Sequence, residues 1–298
     1  MPVCQYYCAR IVVFDKETTE NYIDIILPLI YNLSIIKQMF YYSRWFICFV
    51  SYCKEGEELK NMKSAYLHTS EIIQIADGIV KRYYGKRVPQ KVDVDAIAVN
   101  VLKQNILYES FAEANLDKIA FAADGQTPLR VWKGGKVERT LFPANTIVLE
   151  RFLMAPERET LRRFILAHEL SHIILSRTDP QHHVACFHTE QNSVGDYSLA
   201  QLHECLAFSE VQANAMAGSI LLTSDALKQV VKKAFGSDRI TSYGKRLFLP
   251  KDVEKLHRIA DAKGVSYTTL CIQLEACNLL NVRSVEEYLQ KTGVTDGS

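Results

Sequence analysis

Arg-Phe-Ile-Leu-Ala-His-Glu-Leu-Ser-His-Ile-Ile-Leu, residues 163–175, is the stretch on which the reading of the chain turns. Its apolar residues surround His168-Glu169-Leu170-Ser171-His172, and the whole reads as a buried helix. A helix turns once in about 3.6 residues, so His168 and His172 project from one face, a turn apart. Two imidazoles so placed can hold one Zn²⁺, and Glu169 sits where it can reach a water held there. The plain alternative is a chance HExxH, two polar histidines satisfied within a core. An apolar helix disfavours burying them unless they have partners.

A zinc site that does chemistry needs a third protein ligand and one open position. Glu210-Val-Gln-Ala213-Asn214-Ala-Met-Ala217 is the best source, on a helix expected from a Ser198/Gln201 capping box to about Leu222. Glu210, Ala213, Asn214 and Ala217 share a face at i, i+3, i+4 and i+7. Three of the four are small or short, so another helix can approach, with Glu210 as the one long acceptor. Asn214 is placed to bond the free ring nitrogen of a ligand histidine. His203 and Glu204 are rivals, but Leu202 and Cys205–Phe208 give them no comparable small-residue face.

Together these elements resemble the ImmA/IrrE family of metallo-endopeptidases. The resemblance rests on Arg162 to His172, on Glu210-x-x-Ala213-Asn214-x-x-Ala217 leading into Leu221-Leu222, and on the upstream Ile75-Ala76-Asp77. It covers about Met62 to Phe235. It implies zinc bound by His168, His172 and Glu210, with Glu169 as general base in peptide-bond hydrolysis. It also implies a protein substrate, a regulatory helix-turn-helix repressor, and an intracellular, cytoplasmic setting. Tyr197 and the histidines of the 182–188 tract are candidates for stabilising the oxyanion, with no ranking among them. That tract, with His182, His183, Cys186 and His188, matches no familiar zinc spacing and reads as a solvated loop.

The bulk numbers leave room for this. A chain of 298 residues holds one large domain or two ordinary ones, and 48% hydrophobic with 23% charged residues is ordinary for a globular protein. The net charge of +1 gives no general pull towards nucleic acid or anionic lipid. Eight cysteines without a CxxC pair read as reduced thiols, and no secretory signal opens the chain.

Residues 1–61 stand apart, crowded with Tyr, Phe and Ile and holding Cys4, Cys8, Cys48 and Cys53. Asp24, Pro28, Asn32, Lys37 and Arg44 interrupt any membrane span there. One account is that the native chain starts at Met62. Gly56-Glu57-Glu58 can be encoded by GGA-GAG-GAA, which resembles a bacterial ribosome-binding tract. A membrane-associated leader and a poorly packed extension are the competing accounts, and the intact mass of the native protein decides among them. The expected organisation is therefore an atypical leader 1–61, a zinc metallopeptidase domain 62–236 and a helical subdomain 237–298. No membrane association is expected for 62–298.

The expected class is α+β, a small antiparallel sheet packed on a helical core. Ser70 is a plausible cap for a helix with Ile72, Ala76, Ile79, Val80 and Tyr83 on one stripe, ending near Gly85. Asp93 or Asp95 caps a short helix. Five strand-like runs follow, at 106–108, 118–123, 129–132, 137–142 and 146–149, with Asp124-Gly125 and Gly134-Gly135 as hairpin turns. Pro156 suits the first turn of the HExxH helix. Beyond residue 223 the expectation is helix throughout: Asp225–Phe235, Lys251–Ala262, Ser266–Cys277 and Ser284–Gln290, the last with a Ser284/Glu287 capping box.

One segment invites a different function. Val253–Leu280 has the helix, Gly264 turn and helix of a DNA-binding helix-turn-helix. Its second helix, however, offers Tyr267, Thr268, Thr269, Gln273 and Glu275, with no Arg or Lys for base edges or phosphates. A packing unit, or a surface that docks a protein, fits better, and direct nucleic-acid binding is not expected. The runner-up function for the chain is a DNA-binding or protein-docking regulator with a catalytically silent zinc site.

Overall fold

The first described helix, α1 (Thr69–Tyr84), buries Ile72, Ala76 and Val80. Its cap lies two residues before Ser70: His68 fills that position, and the Glu71 carboxylate accepts from the His68 amide at 2.7 Å. The computed structural model describes residues 67–113, 118–178 and 199–293; side chains of 178 and 199–207 are not among them. All belong to one unit, Lys63–Ser298. Residues 1–61, the 182–188 tract, Tyr197 and Ser198 lie outside the described residues.

Asp93 caps α2 (Val94–Ala96), accepting from the Ala96 amide at 2.9 Å, and the helix continues as a π-turn, Ile97–Val101. The strands β1 (Asn105–Glu109), β2 (Ala120–Ala123), β3 (Leu129–Lys133), β4 (Lys136–Thr140) and β5 (Thr146–Glu150) do not form one antiparallel meander. β5 lies in the centre of a three-stranded sheet of order β1-β5-β2, parallel to β1 and antiparallel to β2. β3 and β4 form a separate hairpin at Gly134-Gly135. The physical reason is that β5 is buried on both faces. Ile147 and Leu149 point into the main core, while Val148 joins Phe121, Leu129 and Val131 in a smaller one under the hairpin. At Asp124 the carboxylate accepts from the amides of Gln126 and Thr127, both at 2.7 Å, and this turn carries the chain from the sheet to the hairpin layer.

Pro156 opens a short 3-10 turn that runs directly into α3 (Glu159–Thr178), the HExxH helix. A bidentate pair ties its start to α2, where Arg162 donates to both Asp95 oxygens at 2.6 and 2.9 Å, and a further bond reaches β1 at the Tyr108 hydroxyl, 3.0 Å away. This pairing holds the Arg162 pKa above its already high ordinary value. α4 (Leu199–Leu221) packs along α3 and also against α1. Ala213, Met216, Ala217 and Ile220 of α4 are fully buried with Leu166, Ala167 and Leu170 of α3.

α5 (Ser224–Phe235) begins without a side-chain cap from its own Thr223. Asp77 of α1 does that work, accepting from the Ser224 amide at 3.1 Å and from the Ser224 hydroxyl. Gly236, at φ 67°, ends the helix in the left-handed region. The remainder is not wholly helical. β6 (Ile240–Tyr243) pairs in parallel with β7 (Leu280–Arg283), bracketing α6 (Pro250–Lys263) and α7 (Tyr267–Ala276). Four-residue strands of mixed polarity carry too little periodicity to be read from sequence. α8 (Val285–Thr292) follows. Ser284 accepts from the Glu287 amide at 3.3 Å, but the Glu287 carboxylate turns to Arg283 at 2.9 Å, so only half of the capping box forms.

The main core runs without a break from Ile72 through Leu166 and Met216 to Leu256, Leu270 and Leu279. The architecture is thus mixed α and β: among the described residues there are eight α-helices with small sheets and no barrel. No helix among the described residues is long and apolar enough to cross a membrane.

Candidate metal centre

Three side chains converge where α3 crosses α4. One turn of helix brings the His168 and His172 Nε2 atoms to 3.0 Å, the rings edge to face. From α4, Glu210 places Oε2 at 3.2 Å from His168 Nε2 and Oε1 at 3.3 Å from His172 Nε2. Two nitrogens and a carboxylate therefore meet as three neighbouring donors, and His168, His172 and Glu210 could hold a metal ion. The spacing tests that fit. Ligands about 2.0–2.1 Å from a tetrahedral zinc stand about 3.3 Å from one another. The observed 3.0 to 3.3 Å is compatible with ligands sharing one ion, and two histidines with one carboxylate are a donor set suited to zinc.

The packing explains the convergence. Ala213 and Ala217 are fully buried, and their small side chains let α3 approach α4 closely. Glu210 is then long enough to reach across to both rings. Ser171, buried between the two histidines, satisfies its hydroxyl on the Ala167 carbonyl at 2.7 Å, so it does not compete for the site.

Asn214 fixes one ring. His168 Nδ1–H donates to Asn214 Oδ1 at 3.1 Å, which leaves the Nε2 lone pair directed at the shared position. Burial alone would disfavour the His168 imidazolium. The Glu210 hydrogen bond, the Glu169 and Glu210 charges and the Asn214 bond outweigh it, and the His168 pKa stands above the ordinary histidine value. The surrounding carboxylates thus favour positive charge on the His168 ring.

Glu169 follows His168 on α3, half-buried, close enough for its charge to act on that imidazole. Among the expected site residues, the structure brings together His168, Glu169, His172, Glu210 and Asn214. The rivals His203 and Glu204 lie on α4, but their side chains are outside those described. So are the proposed oxyanion partners, Tyr197 and the 182–188 histidines.

Sequence reasoning missed the supports. Arg162 and Asp95 clamp the start of α3, with Asp95 sixty-seven residues away in sequence. Behind α4, Gln273 of α7 is buried, donates to the Ala215 carbonyl at 3.3 Å and accepts from the Ser219 hydroxyl at 3.3 Å. Gly218 makes room for it: a Cβ there would lie 2.4 Å from Gln273 Nε2. A glycine inside an otherwise good helix was the available signal. No protein-family model and no curated protein matches the chain at a significant level.

Proposed function

We propose that this chain is a zinc-dependent endopeptidase of the ImmA/IrrE type, built on a zinc-peptidase core and acting in the cytoplasm on a protein substrate. The substrate class that the resemblance implies is a regulatory helix-turn-helix repressor. The observation that carries the reading is the meeting of His168, His172 and Glu210 at 3.0 to 3.3 Å, with Glu169 beside His168.

Bound zinc supplies a Lewis acid and lowers the pKa of water to about 7. The protein's own residues do the rest. Asn214 holds His168 in the tautomer that presents Nε2. Glu169 accepts the proton of the attacking water and later returns it to the leaving amine. Glu210 reaches the site from a second helix, so the ligand geometry depends on the α3–α4 packing rather than on a loop.

The burial of α7 argues against its use as a nucleic-acid recognition helix. Only Glu275 among its ten residues is exposed, and Gln273 is engaged with α4. A recognition helix needs exposed donors for bases and phosphates. Holding α4 in place is a role consistent with this burial.

The test compares wild type with Glu169→Gln and Glu210→Ala. Metal analysis should give one zinc per wild-type chain, retained by Glu169→Gln and lost from Glu210→Ala. Wild type should cleave a repressor encoded beside its gene, and neither variant should. Equal cleavage by Glu169→Gln would sink the role given to Glu169. Wild type without stoichiometric zinc would sink the whole reading.

A further inference from the structure

Away from the candidate metal centre, α5 and α6 part around an open cavity of about 640 Å³, with Val88, Pro89 and Gln90 in its lining. Each helix turns one stripe into it. Ala226, Val230 and Lys233 come from α5, and Lys255, Arg258 and Ile259 from α6. The i, i+3, i+4 and i+7 spacings put these side chains on single faces.

The lining has a one-sided charge. Lys233, Lys255, Arg258 and Lys263 line the cavity, and no Asp or Glu does. Lys263 is the least expected of them, only 6% exposed. It donates to the Pro89 carbonyl at 3.4 Å, and no carboxylate pairs with it among the described residues. A buried ammonium without a counter-charge is costly, and burial alone pulls the Lys263 pKa down. Lys255 donates to the Ala234 carbonyl at 3.2 Å and lies over the Phe235 ring, while Arg258 meets Glu254 only loosely, at 3.7 Å. The walls between these cations are aliphatic, from Val88, Pro89, Val230 and Ile259.

We infer that this cavity is a binding site for a small anionic ligand with an apolar body, a phosphorylated or carboxylated metabolite rather than a macromolecule. The lining is largely apolar, with Lys233 and Arg258 exposed along it and Lys263 buried, and an apolar wall with a few cations orients a ligand of that kind. Nucleic acid would call for a broad basic surface, which a net charge of +1 does not favour. The proposal stands apart from the peptidase reading and uses none of its residues.

Titration of the full chain with 8-anilinonaphthalene-1-sulfonate, an anion with an aromatic body, tests it by fluorescence. Wild type should bind saturably, and ATP should displace the dye where adenosine does not. Lys233→Glu and Arg258→Glu should each weaken binding roughly tenfold. Lys228→Glu, whose side chain does not line the cavity, should leave it unchanged. Absence of saturable binding overturns the proposal, as does equal weakening by Lys228→Glu. Displacement by an acidic peptide but not by ATP overturns it in favour of a protein partner.

Discussion

The hydrogen bond from His168 to Asn214 is the sharpest place to test the candidate metal centre, because it touches no proposed ligand atom. Asn214→Ala removes the acceptor 3.1 Å from His168 Nδ1 and leaves Nε2, His172 and Glu210 in place. Without that acceptor the imidazole is free to rotate or to shift its proton to Nε2, and either change withdraws a ligand. Loss of such an outer partner costs about 10–100-fold in metal affinity, equivalent to about 1.4–2.7 kcal/mol. That matches one hydrogen bond to a group that becomes partly charged on binding metal, about 1.5–3 kcal/mol. Zinc affinity is measured by competition with a fluorescent chelator at pH 7.5, with circular dichroism to check that α3 and α4 persist. Asn214→Asp keeps an acceptor and adds charge, so it should bind zinc at least as tightly as wild type. An Ala variant within twofold of wild type would refute the reasoning. So would an Asp variant as weak as Ala with its helices intact.

Three further outcomes follow from the supports around the site. Asp77→Ala leaves the Ser224 amide and hydroxyl without their cap and should lower stability by about 1–2 kcal/mol in urea unfolding; a loss under about 0.3 kcal/mol would count against the cap. Gly218→Ala should lower stability by about 1–3 kcal/mol, although alanine ordinarily favours a helix by about 1 kcal/mol, because the new methyl meets Gln273. Adding Gln273→Ala should recover part of that loss, and a simple sum of the two single effects would argue against a clash. Burial pushes the Cys271 and Cys277 thiols up to about 11 each. Both should resist iodoacetamide at pH 8, where such a pKa leaves about 0.1% thiolate, and peptide mapping that finds either alkylated as fast as an unfolded control would contradict the burial of Cys271 or the half-burial of Cys277.

What the sequence made legible at the site was local or periodic. His168 and His172 are one turn apart, so helix geometry alone aligns them. Glu210 and Asn214 could be found because the small residues around them mark a face for close approach. The supports are neither local nor periodic. Asp77 caps a helix 147 residues downstream, and Asp95 clamps Arg162 from sixty-seven residues upstream. A single acid carries no sign of the partner it will meet. Strand pairing failed for a related reason. The run Ile147-Val148-Leu149 announces a strand, but its burial on both faces, and hence its central place between β1 and β2, depends on which layers cover it.

α4 concentrates these difficulties, because three of its sides are occupied. Glu210 and Asn214 face α3; Gln212 reaches the Leu67 carbonyl ahead of α1 at 3.3 Å; Ala215, Gly218 and Ser219 meet Gln273 of α7. A helix apolar nearly all round shows no single stripe, so its sequence does not say which neighbour lies on which side. The same enclosure has a chemical consequence. Glu210 is the only member of the donor set that does not come from the HExxH turn, and its reach depends on where α4 lies. Packing on three sides restrains that helix independently of any ion, so the geometry is organised by the fold. The HExxH turn supplies two imidazoles and the neighbouring Glu169 carboxylate, and the packing of α4 places Glu210 beside them as a third donor.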